Sequence, residues 1–241
     1  TDYLTQKGFS IQEINAAGLL NRFGGDIFNG RMMIPLQDPS GATIGFTGRI
    51  LNDEPNSPKY LNTPQTMLYD KSRHVFGLSQ AKQSIRKNNF VVVVEGNMDV
   101  IASHQVDVKN VVATAGTAIT AQHLKSISRY TNDIRLCFDA DAAGVNATER
   151  AIVLAQAVGA DISIISLDQS AGAAKDPDEL IQKDVELWQK SIANPKAAVD
   201  WVLDQYETRL DIKTATGKRE FSTAALKLVQ NLNDQVEKEH S

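Results

Sequence analysis

Residues 90–94 read Phe-Val-Val-Val-Val, and Glu95 and Gly96 follow at once. β-Branched residues favour extended backbone, and this run lacks the polar–apolar alternation of a half-exposed strand. Both of its faces must therefore be covered. The pattern recurs: "NVVATAG", "DIRLCFD" and "ADISIISL" read as further short strands. "MDVIASHQ", "TAQHLKSISRYT" and "AAGVNATERAIVLAQAVG" read as the helices between them. Strands alternating with helices predict an α/β domain over residues 89–170, built on a mainly parallel sheet with helices on both sides. Ligands of such sheets bind at the carboxyl ends of the strands.

The flanking sections differ. Residues 1–88 predict a mixed α+β subdomain. "SIQE" is a capping box that opens a helix over 10–17. Asp38-Pro39-Ser40-Gly41 is a turn between two apolar runs, hence a β-hairpin. The stretch "LNDEPNSPKYLNTPQTMLYDKSR" is too polar for core and reads as a long ordered loop or linker. Residues 171–241 repeat apolar positions at three- and four-residue spacing and predict a helical bundle.

Composition excludes several classes. No apolar run is long enough to span a bilayer, and "TDYLTQKGFS" has no signal-peptide core, so a cytoplasmic location without membrane contact is expected. The single cysteine, Cys137, rules out a disulfide framework and a Cys-based zinc site within these residues. It reads as a small buried residue, and Trp188 and Trp201 read as core. The four histidines show no ligand spacing. Net charge is −4, distributed as a mildly basic N-terminal section before an acidic centre.

The acids of that centre fall where strands end. Glu95 closes the first strand, and Asp139 and Asp141 close the third. Asp99 lies one helical turn after Glu95, and Asp176 and Asp178 follow the fourth strand. Asp176-Pro177-Asp178-Glu179 is also a good helix start in its own right. Each acid alone has a structural explanation; their shared placement points to a hard divalent cation, Mg²⁺ or Mn²⁺. Two or more such ions suit phosphoryl transfer. Arg31, Arg49, Lys59, Lys71 and Arg73 stud the hairpin and the polar loop. Singly they read as solvated surface; together they suit a triphosphate or a nucleic-acid backbone. Neither GxxxxGK[ST] nor GxGxxG is present to cradle phosphates. Gly116 and Gly144 read as tight turns after strands.

"VVVVEGNMDVIASHQ" and "LCFDADAAGVNATERA" closely resemble the two signatures of the Toprim domain. "DIFNGRMMIPLQDPSGATIGFTGRIL", "PKYLNTPQTMLYDKSRHVFGLSQAK" and "KDPDELI" resemble segments of bacterial DnaG-type DNA primases, in the family's order. The resemblance covers residues 1–190, with a looser fit in the helical tail. It implies a Toprim fold and an RNA polymerase that makes short RNA primers from ribonucleoside triphosphates on single-stranded DNA. By it, Glu95, Asp139 and Asp141 are catalytic and metal-binding, and Asp99, Asp176 and Asp178 complete the acidic site. Arg49, Lys59 and Lys71 fall in motifs that bind nucleotide or template, and Arg31 lines the same groove. The family commonly has Tyr where this chain has Asn97. The family's zinc-binding domain is expected to be absent, its helicase-binding domain likewise, and its polymerase core to begin before Thr1. Rival readings are another Toprim nuclease or topoisomerase, a haloacid-dehalogenase-type phosphatase on "FDAD", and a non-catalytic nucleic-acid-binding module.

Overall fold

The computed structural model describes residues 1–52, 57–138, 142–168, 170, 172 and 174–230. Two short helices, α1 (Asp2–Gln6) and α2 (Ile11–Ala16), precede a hairpin of β1 (Arg31–Gln37) and β2 (Thr43–Ile50). β3 (Tyr60–Asn62) adds to β2, and α3 (Leu78–Asn88) leads into the main sheet. There follow β4 (Val91–Val94), α4 (Asn97–Gln105), β5 (Val111–Ala113), α5 (Ala121–Ile127), β6 (Asp133–Cys137), α6 (Ala142–Gln156) and β7 (Asp161–Ile164). The chain ends in α7 (Pro177–Lys183), α8 (Val185–Ala193), β8 (Lys196–Ala197), α9 (Ala198–Arg209) and α10 (Ala215–Gln230).

Local chemistry sets many of these boundaries. Ser10 caps α2, accepting the Glu13 amide while the Glu13 carboxylate accepts the Ser10 amide at 2.8 Å. Asp38 closes the hairpin turn by accepting the amides of Ser40 and Ala42 at 2.8 and 3.0 Å. Gly41 takes a φ of 99° there, which glycine adopts without strain.

β1, β2 and β3 form an antiparallel sheet. The main sheet runs in the order β5-β4-β6-β7-β8, parallel except for the edge strand β8. β4 is an interior strand, between β5 and β6, with every valine fully buried. Val91 and Val93 face a core built with α3, α5, α6 and α9, from Leu78, Ile85, Leu124, Ile152 and Trp201 among others. Val92 and Val94 face the opposite core, with Val100 of α4, Leu180 of α7 and Trp188 of α8. The unbroken valine run thus has its physical reason: alternate side chains enter two different cores.

Leu36 of β1 and Phe76 belong to that second core, which ties the hairpin to the main sheet. Phe76 also exchanges backbone hydrogen bonds with Ala113 at 2.8 and 3.1 Å, covering the edge of β5.

Some expectations change. The polar loop contains β3, and the helical tail contains β8. Helix α3, from the section before the α/β domain, packs into that domain's own core. Gly144 lies inside α6 and not in a turn, whereas Gly116 does take a positive φ of 71°. Cys137, Trp188 and Trp201 are buried, as their neighbours in sequence predicted.

Candidate active site

The chain leaves β4 at Glu95, which is exposed. β5 lies on one side of β4 and β6 on the other, so Glu95 stands at the point where strand order reverses. The loop after β5 is anchored there, because the Gly116 amide donates to the Glu95 carbonyl at 3.2 Å. Ala115, just before it, holds a φ of 54°, a left-handed conformation that costs a residue with a Cβ.

Asp99 is 7% exposed at the start of α4. One carboxylate oxygen accepts the Gly96 amide at 3.0 Å and the other accepts the Asp178 amide at 3.2 Å. Burial pushes its pKa up to about 6; the two amides oppose this, and the charges of Asp176 and Asp178 reinforce it. Asp176 caps α7, accepting the Glu179 amide at 2.8 Å, with Pro177 in the first helical turn. The structural reading of that acidic tetrapeptide therefore holds, and Asp176 and Asp178 also line a cavity with Asp99. The Asp178 carboxylate accepts from the Gln182 side chain at 2.9 Å.

Glu95, Asp99, Asp176 and Asp178 line one cavity of about 360 Å³ together with Arg49 and Lys59. A second cavity of about 540 Å³ shares Glu95, Asp99 and Asp176 and adds Cys137, Phe138, Lys175 and Trp201. Asp139 and Asp141 lie outside the described residues. Their flank is described: Cys137 pairs in register with Val94, one residue before Glu95. Among the described residues no three acidic, histidine or cysteine side chains converge closely enough to hold a metal ion. The donor type nevertheless fits a hard divalent cation, since all the acids present carboxylate oxygens.

The cationic side comes from strand register. Thr47 and Arg49 are two apart on β2, and Tyr60 and Asn62 are two apart on β3. Thr47 pairs with Asn62 and Arg49 with Tyr60, so these four side chains share one face of the small sheet. All four line the first cavity. The Arg49 guanidinium lies 5.8 Å from the Tyr60 ring centre. Burial raises the Tyr60 pKa; Arg49 opposes the rise, and Asp178, Asp99 and Asp176 add to it.

Arg31 and Lys71 line neither cavity. Arg31 donates to the carbonyls of Pro58 and Gly48 at 2.8 and 3.1 Å, bracing the segment that delivers Lys59. Gly48 leaves room for it, because a Cβ there would come within 3.0 Å of the Arg31 side chain. Lys71 sits in a turn held to α5, its carbonyl 3.1 Å from the His123 ring. Thr47, Tyr60 and Asn62 were not singled out from sequence; the signal that finds them is two-residue alternation from Arg49 on β2 and from its partner Tyr60 on β3, once the two strands are paired.

Three family models match successive parts of the chain. Residues 1–82 match the DNA primase catalytic core N-terminal domain, 92–181 a Toprim-like family, and 199–241 the DnaB-helicase binding domain of primase. That last match corrects the expectation that no helicase-binding segment is present; the apolar spacing of α9 and α10 reads as a generic bundle and hides it. A DNA primase of Clostridium acetobutylicum is 33% identical over 98% of this chain, and the chain spans 39% of that protein's length. The Escherichia coli primase catalytic core is 32% identical with a TM-score of 0.79, covering 95% of this chain and 74% of that one. A DnaG primase catalytic domain bound to single-stranded DNA is 31% identical with a TM-score of 0.81, covering 95% of this chain and 72% of that one. Sheet order, acid placement and these matches converge: the chain belongs to the DnaG family of DNA primases.

Proposed function

We propose that this chain is the polymerising core of a DNA primase, a nucleotidyltransferase that joins ribonucleoside triphosphates into a short RNA primer on single-stranded DNA. The observation that carries this reading is the meeting of Arg49 and Lys59 with Glu95, Asp99, Asp176 and Asp178 in one cavity at the end of β4. Template and substrate are polyanions, so the hairpin cations are the groups that attract them. The residues that would hold Mg²⁺ or Mn²⁺ are Glu95, Asp139 and Asp141, with Asp99, Asp176 and Asp178 adding negative charge beside them. Such ions, when bound, neutralise phosphate charge and favour ionisation of the attacking hydroxyl. Glu95, exposed at the strand end, is the group to accept the proton of the primer 3′-hydroxyl. Asp99 also ties α4 to α7 and so holds Asp178 in place. Arg31 keeps Lys59 on the cavity wall through Pro58.

The division of labour follows the three sections. Residues 1–88 grip template and nucleotide, 89–170 carry Glu95, Asp99, Asp139 and Asp141, and 171–241 add Asp176 and Asp178 and form the helical face. Within that face residues 199–241 are the candidate dock for a replicative helicase. A place with the replication machinery of the cytoplasm belongs to the same proposal. No helix among the described residues is long and apolar enough to cross a membrane.

The test is incorporation of labelled ribonucleotides on single-stranded DNA with Mg²⁺ or Mn²⁺. Asp139→Ala and Glu95→Gln are expected to abolish product while DNA binding persists. Undiminished synthesis by Asp139→Ala would overturn the assignment of the acidic site.

A further inference from the structure

Two residues that line the first cavity each bury a neutral polar atom with no hydrogen-bond partner among the described residues. Thr47 is fully buried and Asn97 is 8% exposed, and both line the cavity that holds Arg49, Lys59 and Glu95. The Thr47 hydroxyl and the Asn97 side-chain oxygen find no hydrogen-bond partner among the described residues. A buried polar atom left unpaired is costly, and native proteins rarely keep one without a use. Here two come from separate elements, one from β2 and one from the first turn of α4, and both residues line the same cavity.

We propose that Thr47 and Asn97 form a sugar-reading subsite that receives the 2′-hydroxyl of the bound ribonucleoside triphosphate. This rests on the reading that the chain polymerises ribonucleotides. The charged groups of the cavity cannot make this choice, because ribo- and deoxyribonucleoside triphosphates carry the same phosphates. Discrimination has to come from neutral groups that sense one hydroxyl. A hydroxyl donates one hydrogen bond and accepts others. It can donate to the Asn97 oxygen while accepting from the Thr47 hydroxyl, so a single sugar hydroxyl satisfies both orphan atoms. A deoxyribonucleotide leaves both unpaired, and a site built this way rejects the analogue that lacks the hydroxyl.

The test is displacement of a fluorescent ATP analogue from the full chain, in Mg²⁺, by ATP, 2′-deoxy-ATP and 3′-deoxy-ATP. ATP and 3′-deoxy-ATP are expected to compete alike, and 2′-deoxy-ATP roughly ten-fold or more weakly. Thr47→Val and Asn97→Leu keep the shape and remove the polar atoms. Each is expected to narrow the ATP to 2′-deoxy-ATP ratio by several-fold, and the pair to bring it to about one. Urea unfolding supplies the folding check: both variants should be at least as stable as the parent, whereas a purely structural role predicts destabilisation. A parent that binds ATP and 2′-deoxy-ATP equally, or variants that keep the full ratio, overturn the subsite and leave the proposed function standing. A parent that binds none of the nucleotides overturns both.

Discussion

The Asp99 carboxylate accepts the backbone amide of Asp178, 79 residues away, at 3.2 Å. Its other oxygen accepts the Gly96 amide, so one buried side chain fastens the start of α7 to the start of α4. The carboxylates of Asp178 and Asp176 are placed through this clamp.

The clamp predicts unequal effects at the two ends of the bond. Asp99→Ala leaves two amides without their acceptor and is expected to cost roughly 2–4 kcal/mol, at about 1–2 kcal/mol for each. Asp178→Ala keeps its backbone amide and loses only a partly exposed side-chain bond, for a cost under about 1 kcal/mol. Urea unfolding of both variants checks this; equal losses would show that the clamp does not hold α7.

The parts of the fold legible in sequence are those whose causes are local. The Ser10–Glu13 box, the Asp38 turn and the four valines each carry their reason within a few residues. β3 was not legible, because "YLN" becomes a strand only through register with Thr47 and Arg49. β8 likewise exists only because Lys196 pairs with Ile164. At the site, the position of Glu95 directly after β4 was legible, since the valine run fixes where that strand ends. The part played by Arg31 was not: a basic residue in a basic section reads as phosphate-binding, and only the Pro58 and Gly48 carbonyls reveal a brace.

That difference separates Lys59 from Arg31 in solution. Lys59→Ala is expected to lower the slope of log K for single-stranded DNA against log salt by about 0.7, the value for one phosphate contact. Arg31→Ala is expected to cost roughly 1–3 kcal/mol of stability, since it removes hydrogen bonds from two carbonyls. Anisotropy titrations over a range of salt, alongside urea unfolding, distinguish the two; a full unit change in slope for Arg31→Ala would count against the brace.

His74 predicts a pH dependence. It is 6% exposed, its ring packs edge-on to Tyr69 at 5.5 Å, and burial holds its pKa down at about 4, helped by the charge of His123. An unfolded histidine titrates near 6.5. The folded state resists the proton, so this contribution is fully present above about pH 6.5 and is lost as pH falls through about 4. The loss amounts to roughly 3 kcal/mol over that window. His74→Gln should flatten this part of the stability profile measured by urea unfolding; an unchanged acid limb would show that His74 titrates as in the unfolded chain.

The C-terminal helices reach the site through α6. The Tyr206 hydroxyl of α9 donates to the Glu149 carboxylate of α6 at 2.7 Å, and α6 begins directly after Asp141 in the sequence. Trp201, one helical turn and a half before Tyr206, is 4% exposed and lines the cavity beside Glu95 and Asp176. Both residues lie within the segment matched to the helicase-binding domain of primase. If α9 steadies α6, Tyr206→Phe should cost about 1 kcal/mol of stability, discounted because the pair is partly exposed. It should lower the maximal rate of ribonucleotide incorporation more than it raises the nucleotide KM. Glu149→Leu, which removes the acceptor, should do the same, and the double variant should be no worse than either single one. Strictly additive losses in that cycle would show that the hydrogen bond does not carry the coupling.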